Sequence, residues 1–235
     1  MSYPMSSAFL SNLIYDRGRV NATAVGTTYI DSSGNAWQLK YFEQGIDGQG
    51  VANGYQGAVF MNTETNAVVA VNRGTELTAV DGDTSNDIQM GLGKVPSQFQ
   101  SAERVYQEAL RVANDAGLPV DDVLVTGHSL GGSLSQLIGA KYGAQTETFN
   151  PYGVGNLLPE HGIPDGSFPN ITNHVIDGDP VSVLPGSYMP GQTLDYYTKA
   201  DDFWNSSLGK FYSIYRPDLY YGYLGASHSI SNFLD

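Results

Sequence analysis

Apolar residues recur along this chain in two rhythms, one of three to four residues and one of two. Phe9, Leu10, Leu13 and Ile14 keep the helical rhythm behind serines that can cap, which predicts a first helix over residues 7–15. Short apolar and aromatic runs predict strands at 27–30 and 37–42, and the turn residues Asp31-Ser32-Ser33-Gly34-Asn35 between them predict a hairpin. A glycine-rich loop is expected over 45–57. Strands at 58–62 and 67–71 follow, joined through Thr63-Glu64-Thr65-Asn66, and the second is nearly all apolar, as a strand covered on both faces would be. Residues 98–116 carry Phe99, Ala102, Val105, Tyr106, Ala109, Leu110 and Ala113 at steps of three and four, and Gly117 and Pro119 stop that helix.

Further on, 123–126 reads as a short apolar strand, 130–142 as a helix of small and apolar residues, and 146–149 and 172–176 as more strands. Strands alternating with helices through short loops call for a mainly parallel α/β sheet, with antiparallel pairing where the early hairpins lie. No repeat or linker divides the 235 residues, so a single domain over 1–235 is expected.

Composition narrows the function. A formal charge of -13 repels a phosphate backbone, so nucleic acid is not an expected partner, whereas an uncharged or zwitterionic lipid surface is compatible with it. The absence of cysteine excludes disulfides, thiolate catalysis and cysteine-held metals. No apolar run approaches the roughly 20 residues of a transmembrane helix. The first ten residues lack the basic start and unbroken apolar stretch of a signal peptide. The cytoplasm and export by a leaderless route both fit, and no feature of the sequence fixes an oligomeric state.

The chemistry is concentrated at Gly127-His128-Ser129-Leu130-Gly131-Gly132, a Gly-x-Ser-x-Gly pentapeptide set between a predicted strand and a predicted helix. A nucleophilic serine there needs a sharp, strained turn, and glycines two residues to either side leave room for strand and helix backbones to pass closely. The helix that begins at once aims its free N–H groups at the developing anion, so the Leu130 N–H is an expected oxyanion donor. A serine hydroxyl also needs a base, with the partners ordered serine, acid, histidine. Of the four histidines, His128 sits on the elbow and is expected to point elsewhere, and His161 and His174 suit ordinary loop and strand roles. His228, ahead of a short apolar C-terminal helix, is the expected base. Asp177 and Asp179 both lie just past a predicted strand; Asp179 is preferred because Asp177 suits a turn cap, with Asp195, Asp201 and Asp202 behind them. Thr75, in the loop after an earlier central strand, is the expected second oxyanion donor.

Taken in order, Val71-Asn72-Arg73-Gly74-Thr75, the elbow, Asp179-Pro180-Val181 with Leu184-Pro185 behind it, and the late His228 resemble the class 3 lipase family of fungal triacylglycerol lipases and bacterial relatives, phospholipases among them. The resemblance runs over about residues 60–235. It implies an α/β-hydrolase fold, a triad of Ser129, Asp179 and His228, an oxyanion hole of Thr75 and Leu130, and lipid ester hydrolysis through an acyl-enzyme. It implies neither a cofactor nor a metal. Two departures stand out: Asn72 replaces the family's usual aromatic residue before Arg-Gly-Thr, and Asp83-Thr84-Ser85-Asn86-Asp87 lacks the expected tryptophan. The stretch from 75 to 87 is short for a helical lid, which leaves room for an esterase or phospholipase profile without strong interfacial activation.

The same triad would serve a carboxylesterase, a thioesterase or an acyltransferase, because the elbow specifies acyl chemistry and not the acceptor. A non-catalytic lipid-binding module is the rival from another class. The acidic clusters Asp81, Asp83 and Asp87, and Asp201 with Asp202, suit solvated loops better than a calcium site. The aromatic residues of 203–223 suit packing on the core or a lipid-facing wall.

Overall fold

The computed structural model describes residues 3–46, 50–74, 95–177, 179, 181–182, 190–196 and 228–234. Helix α1 (Tyr3–Leu13) leads into strands β1 (Thr28–Ile30), β2 (Ala36–Ile46), β3 (Ala52–Asn62) and β4 (Val68–Asn72). Helix α2 (Val95–Asp115) precedes β5 (Leu124–His128), α3 (Leu130–Tyr142), β6 (Gln145–Phe149), β7 (Ile171–Ile176) and β8 (Gln192–Tyr196). The described strands make one eight-stranded sheet in chain order, antiparallel from β1 to β4 and parallel from β4 to β8. This is the α/β sheet with an antiparallel edge that the pattern called for.

Strand β4 shows why both of its faces are apolar. Val68 and Ala70 pack with Phe99, Ala102 and Val105 of α2 and Leu134, Leu137 and Ile138 of α3, whereas Val69 and Val71 pack with Leu10 and Leu13 of α1 and with Ile14 just after it. Alternate side chains therefore feed two cores, one on each side of the sheet. The Asp31 carboxylate is buried in the first hairpin, where it accepts from Ser6 Oγ, Trp37 Nε1 and the backbone N–H groups of Ser33 and Asn35.

The expected loop at 45–57 is instead largely strand: Glu43 pairs with Gly57, Gln44 with Gln56 and Ile46 with Ala52. Gly50 and Gly54 turn the chain at φ +81° and +78°, whereas Gly45 and Gly57 serve close packing. A Cβ on Gly45 would lie 2.7 Å from Tyr55 Cβ and 2.8 Å from Ser101 Oγ of α2, so only glycine lets the helix approach there. Strand β8 escaped the sequence pattern because four of its five residues are exposed and none is buried. The residues after His228 form a single 3₁₀ turn, Ile230–Phe233, in place of an α-helix. Ile230 is buried beside Ala8 and Phe149, and Phe233 meets Phe149 at 5.0 Å between ring centres.

Thr75, expected in the oxyanion hole, the acidic residues Asp81, Asp83, Asp87, Asp201 and Asp202 and the aromatic stretch 203–223 lie outside the described residues. Among the described residues no group of His, Asp or Glu is arranged to hold a metal ion, and no helix is long and apolar enough to cross a membrane.

Candidate active site

Strand β5 delivers Ser129 at φ 56°, ψ -128°, and α3 begins at the next residue. The left-handed region costs a serine of order 1–3 kcal/mol, a strain that the surrounding structure must hold. Two glycines make that possible. A Cβ on Gly127 would collide with the Gly131 backbone, and one on Gly131 would run into the Asn72 carbonyl at the end of β4. The close passage expected from the pentapeptide is therefore real, and it presses α3 against the strand that leads to Thr75. Leu130 is the first residue of α3, so its N–H has no acceptor within the helix.

His228 Nε2 lies 2.9 Å from Ser129 Oγ, and His228 Nδ1 lies 2.7 Å from Asp179 Oδ1. A carboxylate can only accept, so Nδ1 carries the hydrogen and Nε2 accepts the serine proton. Asp179 is fully buried. Its other oxygen, Oδ2, accepts from the Ser182 backbone N–H at 2.8 Å and from Ser182 Oγ at 2.6 Å. Ser182 was not legible as a site residue, since a serine in a loop carries no signal of what it faces. Asp177, the competing acid, is partly exposed and donates its backbone N–H to the Tyr196 carbonyl on β8. Asp195 is exposed on β8.

The other histidines divide as expected, with one correction. His161 sits in a 3₁₀ turn with its ring 4.4 Å from that of Phe99, and His174 on β7 stacks on Phe149 and bonds Tyr196 Oη at 2.8 Å. Burial pushes the His174 imidazole down to about 4. His128 does point away from Ser129 Oγ, but it reaches the base: its Nε2 lies 2.6 Å from the His228 carbonyl oxygen and its Nδ1 2.9 Å from Tyr15 Oη.

Asn72, the departure from the family pattern, is a buried clamp. It accepts from Tyr55 Oη at 2.6 Å and donates to Ser135 Oγ at 3.0 Å, and Ser135 in turn donates to the Gly131 carbonyl at 2.8 Å. An aromatic residue here would forfeit this link between β3, β4 and α3.

A serine on a strained strand-to-helix turn, with a histidine and a buried carboxylate in line, on a mainly parallel sheet, defines a lipase-like α/β hydrolase. Residues 6–187 match the phospholipase-like model described as the Tle-like phospholipase domain, and the chain belongs to that family. Its reaction class is lipid carboxylic ester hydrolysis. No curated protein sequence matches the chain. Among solved structures it is similar to the Rhizomucor miehei lipase in its propeptide complex, at 16% identity and TM-score 0.53, over 83% of this chain and 67% of that one. A triacylglycerol lipase from Penicillium expansum matches at 16% identity and TM-score 0.50, over 84% of this chain and 79% of that one. The extracellular lipase LipA of Serratia marcescens matches at 20% identity and TM-score 0.50, and 92% of this chain corresponds to 37% of that longer protein. At these identities the likeness is one of fold.

Proposed function

We propose that the chain hydrolyses glycerophospholipid acyl esters, with Ser129 as nucleophile, His228 as general base and Asp179 as its partner. The observation that carries this reading is the unbroken Ser129–His228–Asp179 line, at 2.9 and 2.7 Å, on a strained elbow. Ser129 Oγ bonds to the acyl carbon as its proton passes to His228 Nε2; that proton then goes to the departing lysolipid oxygen as its bond to carbon breaks. Water, deprotonated by His228, attacks the acyl-enzyme, frees the fatty acid and restores the serine. The Leu130 N–H, and by the family resemblance Thr75, stabilise the tetrahedral oxyanion. Buried Asp179 orients the imidazole and stabilises its cationic form. The choice of phospholipid over acylglycerol rests on the family description.

The test is fatty acid release from phosphatidylcholine and triacylglycerol dispersions by the wild type and Ser129→Ala, with labelling of both by a fluorophosphonate. The expected result is release from phosphatidylcholine and a single label, both lost in Ser129→Ala. Labelling that persists in the variant would overturn the nucleophile, and turnover of triacylglycerol alone would overturn the substrate class.

A further inference from the structure

The His228 backbone has to hold the ring in line with two partners at once, yet the 3₁₀ turn that follows it supplies only a short anchor. The other anchor comes from the start of the chain, through the turn that follows α1. A carbonyl oxygen can only accept, so the His128 Nε2 that lies 2.6 Å from the His228 carbonyl carries the hydrogen. His128 Nδ1 is then bare and accepts the Tyr15 hydroxyl proton at 2.9 Å. Tyr15 lies two residues past the end of α1, and that segment is fixed in its own core through Leu10 and Leu13 of α1 and the adjoining Ile14.

The same hydroxyl lies where three loops meet. A Cβ on Gly74 would collide with Tyr15 Oη, would lie 2.5 Å from the His128 carbonyl and 3.1 Å from Ser129 Cβ. The Arg73 guanidinium lies 6.0 Å from the centre of the Tyr15 ring. The His128 and His228 rings are 4.7 Å apart. Burial first, and the neighbouring His228 second, hold the His128 imidazole well below its ordinary range. His128 therefore stays neutral when His228 takes up the serine proton, and two adjacent cations are avoided.

We infer that Tyr15 and His128 form a positioning strut, a two-bond brace from α1 to the His228 carbonyl that sets the base against Ser129. The inference rests on the proposed roles of Ser129 and His228. Neither strut residue touches the reacting atoms; both act through His228. Tyr15→Phe removes the bond to His128 and keeps the ring, His128→Phe removes both strut bonds and keeps a ring beside His228, and His128→Gln keeps an N–H able to reach the carbonyl.

The experiment follows the rate of Ser129 phosphonylation by a small fluorophosphonate, kcat and KM on a soluble ester, and the downfield Nδ1–H proton resonance of His228 that Asp179→Asn removes. Tyr15→Phe is expected to slow phosphonylation and kcat roughly tenfold, as loss of the part-buried bond to His128 would, with KM within about twofold. His128→Phe should slow both about a hundredfold and broaden or shift the His228 resonance, and His128→Gln should recover most of that loss. Wild-type rates and an unmoved resonance in Tyr15→Phe, or equal losses in His128→Phe and His128→Gln, would overturn the strut. Failure of the underlying reading looks different, because Ser129→Ala would then still be labelled.

Discussion

Replacing Asp179 by asparagine tests the acid more sharply than deleting it. The carboxylate accepts three hydrogen bonds with no exposure: His228 Nδ1–H at 2.7 Å, the Ser182 N–H at 2.8 Å and the Ser182 hydroxyl at 2.6 Å. An asparagine has one accepting oxygen and one donating NH₂, so one side of this arrangement must change. If the oxygen faces His228, the NH₂ confronts the Ser182 N–H, which loses its acceptor at about 1–3 kcal/mol, and the Ser182 hydroxyl must turn its proton to the Pro151 carbonyl. If the oxygen faces Ser182, both of its bonds survive and the NH₂ faces His228. That orientation wins, and it forces Nδ1 to accept, which puts the imidazole hydrogen on Nε2 opposite Ser129 Oγ. The base is then in the wrong tautomer. The expected loss in kcat is about 10⁴-fold, or about 5 kcal/mol of transition-state stabilisation, with little change in thermal stability. Turnover of a p-nitrophenyl ester measures it, with Asp177→Asn as the matched control, expected to stay within about threefold of wild type. Activity above a tenth of wild type in Asp179→Asn, or an equal loss in Asp177→Asn, would refute the assignment.

Three further perturbations reach the support of the site. Gly131→Ala puts a methyl into the Asn72 carbonyl, and since backbone lies on both sides the end of β4 has to move; ester turnover should fall about 10²-fold, and wild-type activity would show that the close passage is not needed. Asn72→Ala strands the buried Tyr55 hydroxyl and unties Ser135, so urea denaturation should show a loss of about 2–3 kcal/mol, and a loss under about 0.5 would discount the clamp. His174 is depressed to about 4 from 6.5, so the unfolded chain binds a proton between those values that the folded chain does not. Stability is thus fully present above pH 6.5 and falls towards pH 4, by about 3 kcal/mol from this residue, and melting curves of His174→Phe should show a shallower decline than the wild type over that window.

How much of this was legible in the sequence depends on how local each requirement is. The elbow demands glycine at 127 and 131 within one strand-to-helix turn, so a pentapeptide carries the whole geometry, and the Leu130 N–H follows from the start of α3. The order serine, acid, histidine then reduced the partners to a few residues, and His228 and Asp179 do meet Ser129. The early hairpin, α2 and the both-face burial of β4 were likewise visible, because apolar period and turn residues are properties of neighbours in sequence. What failed was of another kind. Gly45 and Gly57 read as loop because a glycine demanded by close packing, as Gly45 is by Ser101, is indistinguishable in sequence from one demanded by a turn, as Gly50 and Gly54 are. An exposed edge strand such as β8 has no buried face to impose a rhythm.

The Asp179–Ser182 bond and the Tyr15–His128–His228 brace share a further property: each joins groups whose residue types are ordinary and whose partners are chosen by the fold. Tyr15 and His128 are 113 residues apart, and His128 and His228 are 100 apart. A tyrosine after an apolar helix is compatible with core, surface or site, and nothing in its neighbours selects among these. Yet such groups decide whether a correctly placed triad works, since a loss of alignment of about 1 Å can cost a hundredfold in rate. In this chain the reacting atoms are set by a motif, whereas their alignment is set by α1, an element with no catalytic residue of its own. Variation in α1 near Tyr15 should therefore change kcat before it changes KM.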